Sequence, residues 1–311
     1  MKNNLFENKI SAGILACICA ILWGSAFPVL KISFRELNIL PVDVYSKLYF
    51  AGIRFLISSI IIFLIIKFYL KLSIKISKKN YKPLLILGLL QTTTMYFFFY
   101  NGLGFTSGVK ASILMSSSNF FVIIIAHFIY HNDKINYQKI IGLTTGFLGI
   151  ILINFNKLPF DTTFTFHGEG YLILGALSGT FGTFLGKNLT KKIHPVVITT
   201  YQMFFGSLVL LVIGKIGMGD SQLEFNNLSI TLLLYASFIS SVAFSLWFML
   251  LKYNKAGEIT LYRFLIPVSG SIMSIIFLKE EHYSNNILFA LILVSVGIIL
   301  INKNLKIVKK K

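Results

Sequence analysis

The chain has 311 residues, 55% of them hydrophobic and only 13% charged, with a mean hydropathy of +0.77. That composition excludes an ordinary soluble globular protein, and the long unbroken apolar runs exclude a transmembrane β-barrel, whose segments are short and alternating. The formal net charge of +18 invites a nucleic-acid reading, which the placement of the lysines argues against.

Ten stretches approach the ~20 apolar residues that a helix needs to span a bilayer: 11–34, 47–69, 83–105, 107–130, 138–155, 168–188, 196–215, 229–251, 257–278 and 286–302. The first follows Lys2 and Lys9 and has no convincing cleavage site after it, so it reads as a retained helix and not a removed signal peptide. Its two cysteines, Cys17 and Cys19, are the only ones in the chain. Residues two apart on a helix do not face each other, so they read as apolar positions, neither a disulfide nor metal ligands. Ala12, Ala16, Ala20 and Gly24 recur every four residues along the first helix, Gly142 and Gly146 along the fifth, and Ser178, Gly182 and Gly186 along the sixth. Stripes of small residues let helix backbones approach closely. Packing explains them, and faces that slide during a conformational change are the sharper alternative.

With the N-terminus placed in the cytoplasm, the cytoplasmic segments carry 20 of the 29 basic side chains, the outer segments carry 7, and Arg54 and Arg263 lie within helices. This is the positive-inside asymmetry of a membrane protein with both termini inside. The basic loops and tail are expected against anionic headgroups, so the partners are a lipid bilayer and a small molecule, not nucleic acid.

The hexapeptide from Gly149 to Asn154 recurs without change from Gly297 to Asn302. The same offset pairs Asp133 with Glu281, and Pro41 and Pro195 each precede the second helix of a unit. The expected units are 10–156 (helices 1–5) and 166–303 (helices 6–10), followed by a basic tail, 304–311. Five spans is an odd number, so the second unit enters from the opposite side, giving an all-α polytopic protein of two inverted five-helix repeats.

Trp23-Gly24-Ser25-Ala26-Phe27 in the first helix, Arg54 in the second, the small-residue entry to the fourth at Gly108 and Ala111-Ser112, the acids Asp133 and Glu281, and glycine-rich helices 5 and 10 together resemble the drug/metabolite transporter superfamily. Within it the chain is similar to EamA-type members, whose halves are each one EamA-like domain. The resemblance covers nearly the whole chain and implies a central cavity lined by helices 1, 3, 4, 6, 8 and 9. The chain departs from the pattern where Asn119 stands at the proline position in the middle of helix 4, whereas helix 9 keeps Pro267.

Arg263, inside helix 9, is the leading substrate-binding candidate. A guanidinium at membrane depth costs ~2.5–3.5 kcal/mol on insertion scales and normally faces a cavity or a partner, and its fork suits a carboxylate or phosphate. The alternatives are a structural ion pair or snorkelling. Pro267 is expected to free the Arg263 carbonyl, and Pro28 to free that of Gly24, making both prolines hinge candidates. Trp23, Tyr96, Tyr100, Asn119, Trp247 and Tyr262 are candidate cavity-lining residues, against a plain packing role. Arg54, Gln91 and Gln202 are weaker candidates. His127 and His131 stand four apart beside Asp133, but no further ligand clearly joins them, so no metal and no cofactor is expected.

Asp43, Asp133, Asp161, Glu169, Glu258, Glu280 and Glu281 fall at loops or helix ends. Without an acid near mid-depth, export of lipophilic cations is disfavoured. The sequence therefore reads as a secondary transporter, by family resemblance an exporter, of small polar metabolites such as amino acids, working by alternating access. Nucleotide sugars or sugar phosphates are the alternative solutes, and a membrane-embedded enzyme the alternative class. A monomer suffices and a dimer is possible. Richness in Lys, Ile, Asn and Phe points to a bacterial source, hence the cytoplasmic (inner) membrane.

Overall fold

Helix starts in this chain follow from side chains that take up orphan amide hydrogens. Asn8 Oδ1 accepts from Ile10 N and Ser11 N at 2.9 and 3.2 Å. Asp43 accepts from Ser46 N. Asn226 and Ser229 form a reciprocal capping box, and His194 caps a helix whose first residue is Pro195, the position where a missing N–H costs nothing. The structure, a computed structural model, describes residues 5–40, 42–105, 108–154, 164–278 and 285–302. Pro41, Asp161, Glu280, Glu281 and the basic tail lie outside the described residues.

The described residues form ten helical rods in chain order and no strand. They are α1 (Lys9–Glu36), α2 (Val44–Leu64, extended by a π-turn, Ile65–Leu70), α3 (Tyr81–Gly88, a π-turn at Leu89–Thr94, then Met95–Phe105), α4 (Gly108–Ile129) and α5 (Tyr137–Asn154). The second set is α6 (Tyr171–Leu189, entered through a π-turn, Phe166–Gly170), α7 (Pro195–Met218), α8 (Asn227–Tyr253), α9 (Ala256–Ile259, a 3₁₀ stretch Thr260–Phe264, then Leu265–Phe277) and α10 (Asn285–Asn302). Six of them, α1, α2, α3, α7, α8 and α9, are long and apolar enough to cross a bilayer, and shorter apolar helices lie in α4, α5 and α10. Large apolar side chains such as Ile14, Ile21, Phe204, Val212 and Phe238 are exposed on the outside of the bundle, as expected of a surface that meets lipid and not water.

Helix 9 departs from the sequence expectation. It is not a regular α-helix around Arg263: Thr260–Phe264 winds as 3₁₀, and Leu265 N–H turns to the Tyr262 and Arg263 carbonyls. The tighter winding gives the carbonyl a neighbour before Pro267 is reached, so it does not stand free as the proline alone would predict. Pro28, by contrast, sits inside a continuous α1. There Gly24 lies hard against α9, where an added Cβ would be 2.1 Å from Ser269 Oγ and 2.8 Å from Gly270 N.

The small-residue stripes are packed. Ala12, Ala16 and Ala20 are buried, and Ser269 Oγ donates to the Ala20 carbonyl at 3.2 Å. Ser178 Oγ donates to the Leu90 carbonyl at 2.8 Å, an acceptor within the π-turn of α3. The pairing of helices is regular. α1 packs on α8 and α9, α6 packs on α3 and α4, α2 packs on α7, and α5 packs on α10. The first helix of each five-helix set thus rests on the third and fourth of the other. α5 and α10 cross antiparallel, with Gly149 against Ala290 and Val294, and Gly297 against Gly142 and Thr145.

Candidate functional site

A line of aromatic rings runs through the middle of the bundle and ends at a guanidinium. Trp23 of α1 meets Trp247 and Phe244 of α8, each at 5.3 Å between centroids. Phe244 meets Phe55 of α2 at 6.4 Å, Phe55 meets Tyr96 of α3 at 4.8 Å, and Tyr96 meets Tyr100 at 5.9 Å. All these contacts are edge-on or tilted, the arrangement that aromatic quadrupoles favour. Arg263 Cζ stands 5.9 Å over the Trp247 ring and Arg54 Cζ 5.1 Å over the Phe55 ring. Tyr96 lies within the electrostatic reach of both arginines.

The two arginines differ. Arg54 is 2% exposed, and its Nε donates to Ser240 Oγ at 2.9 Å and to the Ala236 carbonyl at 3.3 Å, tying α2 to α8. Arg263 lies deep in the bundle, is only half-buried, and among the described residues has no hydrogen bond or ion pair. Trp23 and Tyr96 are half-buried too. Part-exposure at the meeting of α1, α3, α8 and α9 marks incomplete packing around these three side chains. Two donors in this region lack partners among the described residues, Trp23 Nε1 and Tyr100 Oη. Buried donors without partners are uncommon and call for an explanation.

The structure therefore brings Arg263, Trp247, Trp23, Tyr96 and Tyr100 into one constellation. It sets Tyr262 apart: that side chain is buried, and its hydroxyl would lie 2.6 Å from a Cβ on Gly13, nearly three turns toward the start of α1 from Trp23. Successive 3₁₀ residues point about 120° apart, which separates Tyr262 from its neighbour Arg263. Asn119 is buried and accepts a long contact, 3.5 Å, from Thr260 Oγ1, so it meets the 3₁₀ stretch from behind. Trp247 is 3% exposed and is an interior residue, not an interface anchor. Gln202 Oε1 accepts from Thr92 Oγ1 at 3.1 Å, and Gln91 presses on Gly182 of α6.

Phe55, Phe244 and Ser240 were not singled out from the sequence. A signal existed for two of them: Phe244 lies three residues before Trp247, on the same helix face, and Phe55 adjoins Arg54.

A second set of buried charges closes the lysine-rich end of the bundle. Asp133, between α4 and α5, is 1% exposed and pairs with Lys139 Nζ at 2.5 Å, while its other oxygen accepts from Gly257 N at 2.9 Å. A carboxylate at the first turn of α9 complements the helix dipole. Lys187 Nζ donates to the Leu251 and Asn254 carbonyls at the end of α8. His127 Nδ1 accepts from Ile135 N at 3.0 Å, holding the same loop. Among the described residues no three His, Cys, Asp or Glu side chains gather as a metal site.

The family model of EamA-like transporters matches residues 10–155 and again 167–303, nearly the whole chain in two repeats. The chain belongs to the EamA-like transporter family. It is 26% identical over 288 residues to the uncharacterized transporter YoaV of Bacillus subtilis (strain 168), covering 92% of this chain and 94% of that one. It is 25% identical over 270 residues to an uncharacterized transporter of Archaeoglobus fulgidus, covering 86% and 89%. A plant protein, WAT1-related protein At3g02690, chloroplastic, of Arabidopsis thaliana, is 26% identical over 225 residues, covering 70% of this chain and 54% of its own. A solved structure titled "Crystal structure of protein" superposes with a TM-score of 0.75 over 95% of this chain and 98% of that one, at 11% identity, which is a likeness of fold alone. This EamA-family chain is thus a multi-pass helical membrane protein of a transporter family.

Proposed function

We propose that this EamA-family protein is a ten-span secondary transporter that carries small zwitterionic or anionic metabolites, such as amino acids, by alternating access. The observation that carries this reading is Arg263: a cation deep in the bundle, incompletely packed over, with an indole face as its neighbour and no carboxylate partner among the described residues. A solute carboxylate would meet its fork, with Trp23 Nε1 and Tyr100 Oη as further donors. A solute ammonium would find the part-buried rings of Trp23 and Tyr96. With Arg54 close by, the field of the site is positive, which repels lipophilic cations and draws anions. Phosphorylated solutes rank below carboxylates because the Nε of Arg54 is already engaged across α2 and α8, leaving one cation for the anionic group.

The antiparallel α5–α10 crossing supports inverted halves, whose two packings would expose the Arg263 space to opposite sides in turn. The lysine asymmetry supports both termini in the cytoplasm, and the Bacillus relatives support a bacterial cytoplasmic membrane. Export is the direction this reading takes.

The test compares wild type with Arg263→Ala in proteoliposome flux and thermal shift, across amino acids, sugar phosphates and lipophilic cations. Ligand binding raises the midpoint by mass action. The expected result is that a carboxylate-bearing solute stabilises and crosses saturably in the wild type only, with the variant folded. Equal flux through the variant would make Arg263 architectural and overturn the assignment.

A further inference from the structure

We propose that the lysine-rich face carries a phosphate-binding cleft, separate from the central site, formed where the loop between α2 and α3 meets the turn between α6 and α7. The cleft has a volume of about 280 Å³ and is lined by Ser73, Lys75, Ser77, Asn80, Lys192 and His194 over an apolar floor. Its two ammonium groups come from different halves of the chain. Its polar lining holds no carboxylate. No Asp or Glu occurs anywhere between Asp43 and Asp133, or between Glu169 and Asp220, so neither the loop nor the turn can supply one.

The lining is weighted to donors. Ser73 Oγ accepts from Lys75 N at 3.3 Å, which leaves its O–H to donate. His194 Nδ1 accepts from Val196 N at 3.4 Å, so the neutral ring carries its proton on Nε2, again a donor. Lysine, hydroxyl, amide and imidazole donors without an acid suit a ligand that is all acceptor and negatively charged, with several oxygens on one centre. A phosphate group has that chemistry. The loop is anchored rather than loose, because Tyr201 Oη of α7 donates to the Ile74 carbonyl at 3.1 Å. An occupant would therefore bridge the first and second halves at the lysine-rich end.

Phosphate can arrive as a phospholipid headgroup or in solution, and the test separates the two. Full-length protein in neutral detergent is melted against inorganic phosphate, with chloride at matched ionic strength as control. In a second series it is melted against short-chain phosphatidylglycerol, with phosphatidylcholine of the same chains as control. Each series includes Lys75→Gln/Lys192→Gln and, as an equal loss of charge on exposed lysines outside the cleft, Lys67→Gln/Lys82→Gln.

The wild type is expected to be stabilised by one of the two probes over its control. The cleft variant should need at least about tenfold more of that probe, the factor for losing even one charge-assisted hydrogen bond, while the other variant matches wild type. A response to inorganic phosphate identifies a soluble ligand, and a response to phosphatidylglycerol alone identifies a headgroup. Absence of both responses in the wild type, or equal weakening in the two double variants, would overturn the site.

Discussion

Gly149 and Gly297 make reciprocal contacts across the crossing of α5 and α10. A Cβ on Gly149 would stand 2.9 Å from Val294 Cγ2 and 3.1 Å from the Ala290 carbonyl oxygen, and one on Gly297 would stand 2.3 Å from Thr145 Oγ1 and 3.4 Å from Gly142 Cα. The repeat offset that turns Gly149 into Gly297 also turns Gly142 into Ala290. Each glycine thus faces the counterpart of a residue that the other faces, the isologous pattern of a local twofold axis. Because the neighbouring helix stands this close at both positions, both glycines have to stay small. Gly149→Leu and Gly297→Leu should each cost about 1–3 kcal/mol by overpacking, read as a lowered thermal midpoint. Leu148→Ala, on the exposed face next door, should change little. A midpoint unmoved by either leucine would show that the crossing is looser than drawn.

Arg54 and Arg263 should separate stability from solute handling. Arg54→Met removes donors to Ser240 Oγ and the Ala236 carbonyl and should cost about 1.5–3 kcal/mol, with the affinity for any transported solute largely kept. Arg263→Met removes a desolvated cation that has no carboxylate partner among the described residues. It should leave the midpoint unchanged or raised, while saturable flux disappears, the usual trade between stability and a functional site. Melting and flux measured on both variants give a crossed pattern if the assignment holds. Parallel losses in the two would refute it.

How far the sequence reached depended on the range of the signal. The all-helical fold, with six helices long and apolar enough to cross a bilayer, was legible because apolar run length is a local property, and the family was legible because the Trp23 to Phe27 motif, Arg54 and the Gly-rich α5 and α10 kept their order. The central constellation was legible in part. Arg263, Trp23, Trp247, Tyr96 and Tyr100 stood out as residue types costly or unusual at depth. Phe55 and Phe244, which connect them, did not, since a phenylalanine in an apolar helix carries no sign of facing inward. The 3₁₀ winding at Thr260–Phe264 was hidden as well. It separates Tyr262 from Arg263 by rotation, and rotation depends on packing against Asn119 and Gly13 that spacing along the chain does not encode. Asp133 read as a loop acid, because nothing local announces that Lys139 and the Gly257 amide will enclose it.

That enclosure makes Asp133 a fastener between the halves at the lysine-rich end. Its carboxylate holds Lys139, itself 1% exposed, and the first turn of α9. Removing one partner of a buried pair strands the other charge, so Asp133→Asn should destabilise by about 3–5 kcal/mol. Asp133→Asn/Lys139→Met, which removes both charges, should recover much of the loss. The double-mutant cycle measures the coupling directly. Additive losses in the double variant would mean that Asp133 acts through Gly257 alone.

His194 should make stability depend on pH in a defined direction. Burial, and then the charge of Lys252, hold its imidazole below the ordinary value of about 6.5. The folded state therefore binds this proton less readily than the unfolded chain, and the contribution is unpenalised above the unfolded value. It is lost progressively as pH falls through about 6.5 toward the lower folded value, where the loss levels off. The structural cause is the cap: Nδ1 accepts from Val196 N at the start of α7, which a doubly protonated ring cannot do. His194→Asn keeps a capping acceptor and does not titrate. The wild-type midpoint minus that of His194→Asn should be flat from pH 8 to about 7 and fall below about 6.5, with the other histidines cancelling between the two proteins. A difference that stays constant across this range would show that the ring does not cap α7 in the neutral form.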